Sequence, residues 1–242
     1  MKLKILGKYG PYPQVGGATS AYAISDEHTT VAFEFGAGAF SRFVAYKNIY
    51  SLDALILSHF HFDHCSDVGV LGYALQRLAV KNDALKPLKI YCPFSDSPLS
   101  LAIAGMNAFE IIRVSDGDRV RIGSFDFRFY SVNHPVPCLG FTVSDGNSVF
   151  AYGGDSNESV NLERLLENAD LALLDGGFLD KDWSESKPHM SVKKCCELAE
   201  KYGVKAIITH INPEYNEKDV IEEISAASRL CCIAEENEEY EI

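Results

Sequence analysis

Residues 52–65 read Leu-Asp-Ala-Leu-Ile-Leu-Ser-His-Phe-His-Phe-Asp-His-Cys. The apolar run Leu52 to Leu57 has the character of a buried strand, and it passes straight into three imidazoles and a carboxylate, His59, His61, Asp63 and His64. His59 and His61 stand two residues apart, so in extended backbone both rings face one side and can share an ion. Asp63 and His64 then turn toward a second. Imidazole suits zinc, iron and related metals, and a mixed nitrogen and oxygen donor set with open positions belongs to catalytic rather than structural sites.

Further donors stand at other strand ends. His134 follows the alternating stretch Phe125-Asp126-Phe127-Arg128-Phe129, and Pro135 behind it biases its backbone to an extended form. Asp155 follows Gly153-Gly154 after the strand-like Val149 to Tyr152, where glycine lets the chain turn sharply and approach other groups. His210 closes the run Ala206-Ile207-Ile208-Thr209. His189 stands at a helix start, and of the seven histidines only His28 lies outside a strand-end or helix-start context. Four strand ends therefore offer metal-binding side chains, as expected if they converge on one rim of a sandwich.

Length and composition fit that picture. A chain of 242 residues, 47% of them hydrophobic, is long enough to bury a sizeable core and is expected to form one α/β domain over 1–242. Lys and Arg total 22 against 34 Asp and Glu, and the formal charge of −12 disfavours a long phosphate backbone as partner. Structured nucleic acid is therefore not expected. The seven cysteines are odd in number, include the adjacent pairs Cys195-Cys196 and Cys231-Cys232, and show no disulfide spacing. With neither a signal-peptide core nor an apolar run of membrane-spanning length, the expected location is the cytoplasm.

Strand-like runs occur at about 2–6, 20–25, 29–34, 53–58, 88–92, 124–132, 139–144, 148–152, 169–174, 205–209 and 229–234. Helical spacing appears after the histidine cluster at Leu71, Ala74, Leu75 and Leu78. It returns from Val192 to Tyr202, stopped by Gly203, and from Val220 to Ala227. The pattern predicts two sheets packed face to face with helices outside. The glutamate-rich last eight residues are expected to be a solvated, frayed end. Asp67 is assigned to the start of a helix at 66–79, Asp116-Gly117-Asp118 to a turn, and Cys65 to buried packing rather than ligation.

His59-Phe60-His61-Phe62-Asp63-His64 stands where the metallo-β-lactamase-fold hydrolases carry H-x-H-x-D-H, and the chain resembles that family over nearly its whole length. The resemblance implies a four-layer αββα sandwich holding two divalent ions, zinc first, with manganese or iron as alternatives. It places His59, His61 and His134 on one ion, Asp63, His64 and His210 on the other, and Asp155 between them. Phe33-Glu34-Phe35-Gly36-Ala37-Gly38 looks like the family's D-x-G-x-G turn, with Glu34 in place of the aspartate.

The stretch Ala169 to Phe178, then Pro188-His189-Met190-Ser191, resembles the branch holding ribonuclease Z and small-molecule phosphodiesterases. There a glutamate stands at the position of Asp175 and a histidine-serine-threonine motif at His189-Met190-Ser191. The implied catalytic residues are His189, which would protonate the leaving oxygen or stabilise the attacked phosphoryl group, Asp175, which would orient it, and Asp63. Ribonuclease Z carries a tRNA-binding arm between the residues matching His134 and Asp155. Only the twenty residues Pro135 to Gly154 lie there in this chain, filled by two strands and the turn Asp145-Gly146-Asn147.

Two divalent cations set against two carboxylates and a bridging hydroxide would suit a small anionic substrate, such as a cyclic phosphodiester, with the hydroxide as nucleophile. The alternatives are a carbonyl hydrolase for lactone, thioester or β-lactam, an RNA-processing nuclease, and a metal-binding protein without turnover. Tyr12, Phe178 and Trp183 are candidate pocket walls. Relatives of this branch often dimerise, and the apolar helix from Val68 to Val80 offers a homodimer interface.

Overall fold

The computed structural model describes residues 1–82 and 85–242. The first half of the chain opens with an antiparallel meander, β1 (Lys2–Gly7), β2 (Ala21–Ser25) and β3 (Thr30–Phe35). Helix α1 (Ala39–Tyr46) crosses to β4 (Ala54–Ile56), which pairs parallel to β3. The short α2 (Phe62–Cys65) and α3 (Val68–Ala79) lead to β5 (Leu88–Cys92), and α4 (Pro98–Ala104) to β6 (Phe109–Arg113), both parallel additions.

The second half repeats this plan. Strands β7 (Arg119–Ile122), β8 (Phe125–Ser131), β9 (Leu139–Ser144) and β10 (Val149–Tyr152) form an antiparallel meander. Helix α5 (Val160–Leu166) then introduces the parallel strand β11 (Leu171–Asp175), α6 (Val192–Tyr202) introduces β12 (Lys205–Thr209), and α7 (Glu217–Ala227) introduces β13 (Cys231–Ile233). Last, β14 (Glu239–Glu241) returns to the first sheet and pairs with β1. Each sheet has seven strands, ordered β14-β1-β2-β3-β4-β5-β6 and β13-β12-β11-β10-β9-β8-β7.

Burial follows the sequence pattern. Strand β3 is buried along its whole length, whereas the meander strand β8 alternates, with Phe125, Phe127 and Phe129 inward and Asp126 and Arg128 outward. Between the sheets lies an aromatic core in which Phe33 stacks on Tyr22 at 5.0 Å and meets Phe141 edge-on at 5.2 Å and Tyr152 at 5.0 Å. A second apolar cluster fastens α1, α3 and α4 to the outer face of the first sheet, and a third fastens α5, α6 and α7 to the second. The layers are thus helix, sheet, sheet, helix, the αββα arrangement that the sequence predicts.

Some expectations need correction. The frayed C-terminus is instead a strand paired antiparallel to β1, with Lys2 Nζ 3.1 and 3.0 Å from Glu239 and Glu241. The helix expected at 66–79 is present as α3, preceded by the separate short α2, but the Asp67 carboxylate at its start accepts from Phe40 N–H of α1 rather than from its own helix. Strands β6 and β7 went unpredicted because they are edge strands whose outward residues, Glu110, Arg113, Arg119 and Arg121, dilute the apolar signal. Among the described residues, no helix is long and apolar enough to cross a membrane.

Phe33 contributes to four ring contacts at the centre of the core. Phe33→Ala is expected to destabilise the fold by about 3–5 kcal/mol through lost transfer energy and the cavity left behind. Val15→Ala, at a fully exposed side chain, should stay within about 0.5 kcal/mol. The denaturation midpoints of both variants check this.

Candidate metal centre

Strands β8, β10, β11 and β12 all run in one direction, so their carboxyl ends share one edge of the second sheet. That edge presents His134, Asp155, Asp175 and His210, while β3 and β4 of the first sheet end in Glu34 and the His59 loop. Ligands generally bind outside the carboxyl ends of parallel strands. Two bonds stitch the sheets together here: Leu139 N–H donates to Ser58 O at 3.0 Å, and Tyr22 Oη lies 2.8 Å from Thr209 Oγ1.

All seven predicted ligands come together. Donor atoms of His59, His61, His134 and Asp155 lie within 4.8 Å of one another, as do those of Asp63, His64, Asp155 and His210, so Asp155 belongs to both groups. Its Oδ2 is 3.7 Å from His59 Nε2, 3.2 Å from His64 Nε2 and 3.3 Å from His210 Nε2. Asp63 Oδ2 is 3.1 Å from His210 Nε2, and His134 Nε2 is 3.3 Å from His61 Nδ1. Two donors on one tetrahedral ion, each roughly 2.0–2.2 Å from it, stand about 3.3–3.6 Å apart, so these spacings suit shared cations.

The chemistry of the donors agrees with that fit. His59 Nε2 and His64 Nε2 are buried without a hydrogen-bond partner among the described residues, a costly state unless a cation completes them, whereas His64 Nδ1 and His210 Nδ1 face the Glu34 and Asp175 carboxylates at 3.4 and 3.5 Å. Burial, reinforced by neighbouring imidazoles, holds His59 well below the usual imidazole pKa, and burial also lowers His61 and His134. Neutral imidazoles are what a metal requires. For His64 and His210 burial opposes the charged ring, but the facing Asp155, with Glu34 on His64 and Asp175 and Asp63 on His210, outweighs it and raises both, His210 to about 9. The carboxylates thus demand positive charge, which a metal ion can supply in place of protons.

The second layer fixes the first. Ser58 Oγ sits 2.8 Å from His59 Nδ1, directing Nε2 to the centre, with Cys138 Sγ 3.7 Å from the same nitrogen. Glu34 is fully buried; its Oε1 accepts from Ser58 N–H at 2.9 Å and its Oε2 lies 3.4 Å from His64 Nδ1. Both Glu34 and His210 adopt left-handed backbone, φ 54° and 55°, a conformation that costs such residues roughly 1–2 kcal/mol and is found where a site demands it. Gly10 presses so close to the His210 ring that a Cβ there would fall 2.1 Å from Nε2. Cys65 is buried as expected, its Sγ donating to His61 O at 2.9 Å and its thiol pushed by burial up to about 12.

His189 and Asp175 form a close pair, His189 Nδ1 to Asp175 Oδ2 at 2.6 Å. Asp175 is itself held by Ser156 N–H at 3.1 Å and Gly177 N–H at 3.0 Å, and its Oδ1 stands 3.5 Å from His210 Nδ1. Burial works against a charged His189, yet the Asp175 carboxylate outweighs it and raises the ring's pKa. Asp155, Asp175, His189 and His210 also meet the spacing for a metal group, but Asp175 already satisfies His189 Nδ1. The Ser191 hydroxyl caps α6, accepting from Lys194 N–H at 3.1 Å. Of the candidate walls, Phe178 lies 6.0 Å from the His189 ring, Trp183 Nε1 donates to His189 O at 3.0 Å, and the Tyr12 hydroxyl donates to Glu214. Sequence reasoning missed Ser58, Cys138, Ser156 and Gly10; only the closeness of Ser58 to His59 gave any signal.

A fold of two seven-stranded sheets with a histidine and aspartate cluster at one rim defines a class, and residues 33–211 match the family model described as beta-lactamase superfamily domain. The chain belongs to that superfamily. It is similar to the protein named "Probable metallo-hydrolase YhfI" of Bacillus subtilis (strain 168), with 26% identity over 212 residues, 87% of each chain. The crystal structure of YhfI, described as a metallo-beta-lactamase fold protein, superposes with a TM-score of 0.90 at 25% identity over 99% of both chains. Ribonuclease Z of Methanosarcina acetivorans is 22% identical over 303 residues, covering 100% of this chain and 98% of its own. A diphosphatase from the PhnP family shares the fold with a TM-score of 0.75 at 16% identity, covering 99% of this chain and 96% of its own.

Glu34→Ala removes the acceptor of Ser58 N–H and the neighbour of His64 Nδ1 together. Affinity for zinc, measured by competition with a chelating dye, is expected to fall about 10–100-fold, with Glu34→Gln recovering part of the loss.

Proposed function

We propose that this chain is a phosphodiesterase acting on a small or cyclic phosphodiester with the aid of two divalent cations. The observation that carries the reading is the His189–Asp175 pair beside the double cluster, in which Asp175 takes Nδ1 and Nε2 has no hydrogen-bond partner among the described residues. His59, His61 and His134 would hold one ion, Asp63, His64 and His210 the other, with Asp155 shared; the nitrogen-rich donors favour zinc. Bound there, the ions supply Lewis acidity and lower the pKa of a water to roughly 7.

The side chains then divide the remaining work. Asp155 and Asp63 leave the centre short of full neutralisation, so a phosphodiester monoanion is attracted where a neutral acyl group is not. Asp63 accepts a hydrogen bond from the attacking water, aligning it with phosphorus. As the P–O bond to the leaving group breaks, His189 Nε2 gives that oxygen a proton, and Asp175 holds the ring by Nδ1 and steadies its charge. The products are a phosphomonoester and an alcohol, and His189 regains its proton from solvent.

Several features support a compact substrate. Between His134 and Asp155 the chain runs directly through β9 and β10, joined by a turn in which Asp145 Oδ1 accepts from Asn147 and Ser148 N–H at 2.9 Å. No arm for structured RNA stands there, and the charge of −12 disfavours one. The ribonuclease Z and diphosphatase relatives are both named for phosphoryl chemistry. A cytoplasmic location is proposed with the activity, since all seven cysteines are free thiols.

With zinc-loaded protein, hydrolysis of bis(p-nitrophenyl) phosphate is expected. His189→Ala should lower kcat about 10²–10⁴-fold at unchanged metal content, the range for losing a general acid. Asp175→Asn should lower it about 10–100-fold. Full activity of His189→Ala, or a lactone or thioester turned over faster than any phosphodiester, would contradict the reading.

A further inference from the structure

In the proposed reaction the leaving group departs past His189, and the side chain beside His189 on that flank is Phe178, its ring tilted 49° to the imidazole. Lys187 Nζ lies over the Phe178 ring, 5.0 Å from its centroid. Of the lysines nearby, Lys193 pairs with Asp180 at 3.0 Å and Lys194 with Glu158 at 3.3 Å. Lys187 has no such partner; among the described residues its ammonium meets the Phe178 ring and no carboxylate. In a chain carrying −12 overall, an uncompensated cation beside the site invites an anion from outside.

The position of this lysine is built rather than adventitious. Its N–H donates to Ser184 O at 3.0 Å, and its carbonyl accepts from Asn157 Nδ2 at 2.7 Å. Asn157 Nδ2 also reaches Glu185 O at 3.2 Å, while Asn157 N–H donates to Asn133 O at 2.9 Å, one residue before His134. The 184–189 segment is therefore tied to the turn that carries a candidate ligand. The aromatic face beneath the ammonium restricts it and strips part of its hydration, which strengthens its pull on an anion.

We infer that Lys187, seated on Phe178, forms a subsite for a second anionic group, a carboxylate or a further phosphate, carried by the leaving portion of the substrate. This rests on the phosphodiesterase reading for its orientation, but its test requires no turnover. The zinc-loaded protein is titrated calorimetrically with phenylphosphonate, 4-carboxyphenylphosphonate and benzene-1,4-diphosphonate. Wild type is expected to bind at least one of the doubly substituted probes about fivefold more tightly than phenylphosphonate, and the tighter of the two names the group. Lys187→Ala should bring that ratio to about one, and Lys187→Arg should retain it. A ratio of one in wild type, or an undiminished ratio in Lys187→Ala, overturns the subsite. A Lys187-dependent ratio in a protein that hydrolyses no phosphodiester keeps the subsite and removes the phosphodiesterase reading, whereas phosphodiester turnover without a ratio does the reverse.

Discussion

The Asp155 carboxylate, buried between imidazoles drawn from both sheets, is the constraint on which the rim of this molecule depends. A carboxylate removed from water is tolerated only if positive charge meets it closely, and here His59, His64 and His210 all turn nitrogens toward one oxygen. Such an assembly is not a source of folding stability in itself. It is a concentrated demand for cations, placed where β4, β10 and β12 deliver their ends to a common edge.

The rest of the fold meets that demand. The aromatic core around Phe33 holds the two sheets at a fixed separation, and the cross-sheet bonds at Ser58 and Tyr22 fix their alignment beside the cluster. The helices pack on the outer faces of the sheets, away from the rim that carries the cluster. Strain gathers at the same place: among the described residues, the non-glycine residues in left-handed backbone are two asparagines, which tolerate it, and Glu34 and His210, which do not. Those two residues support or join the second cluster, so the backbone energy stored there is offset only when the cluster is satisfied.

Much of this was legible in the sequence because ligands at strand ends leave a local signature. The spacing of His59, His61, Asp63 and His64, the proline after His134 and the glycines before Asp155 each say something about backbone direction without any tertiary information. What escaped detection is long-range by nature. Gly10 touches His210 across 200 positions of sequence, and Ser156 meets Asp175 from a different strand end. The edge strands β6 and β7 lack a continuous apolar run, and β14 pairs with β1 from the far end of the chain, a pairing that the glutamate-rich tail alone does not reveal.

Whether Asp155 organises two cations between the sheets can be read from anomalous scattering at the zinc edge in crystals of the zinc-loaded protein. Two peaks are expected to flank Asp155, one within bonding distance of His59, His61 and His134 and the other of Asp63, His64 and His210. A single peak, or zinc held elsewhere while Asp155 stays unligated, would contradict it.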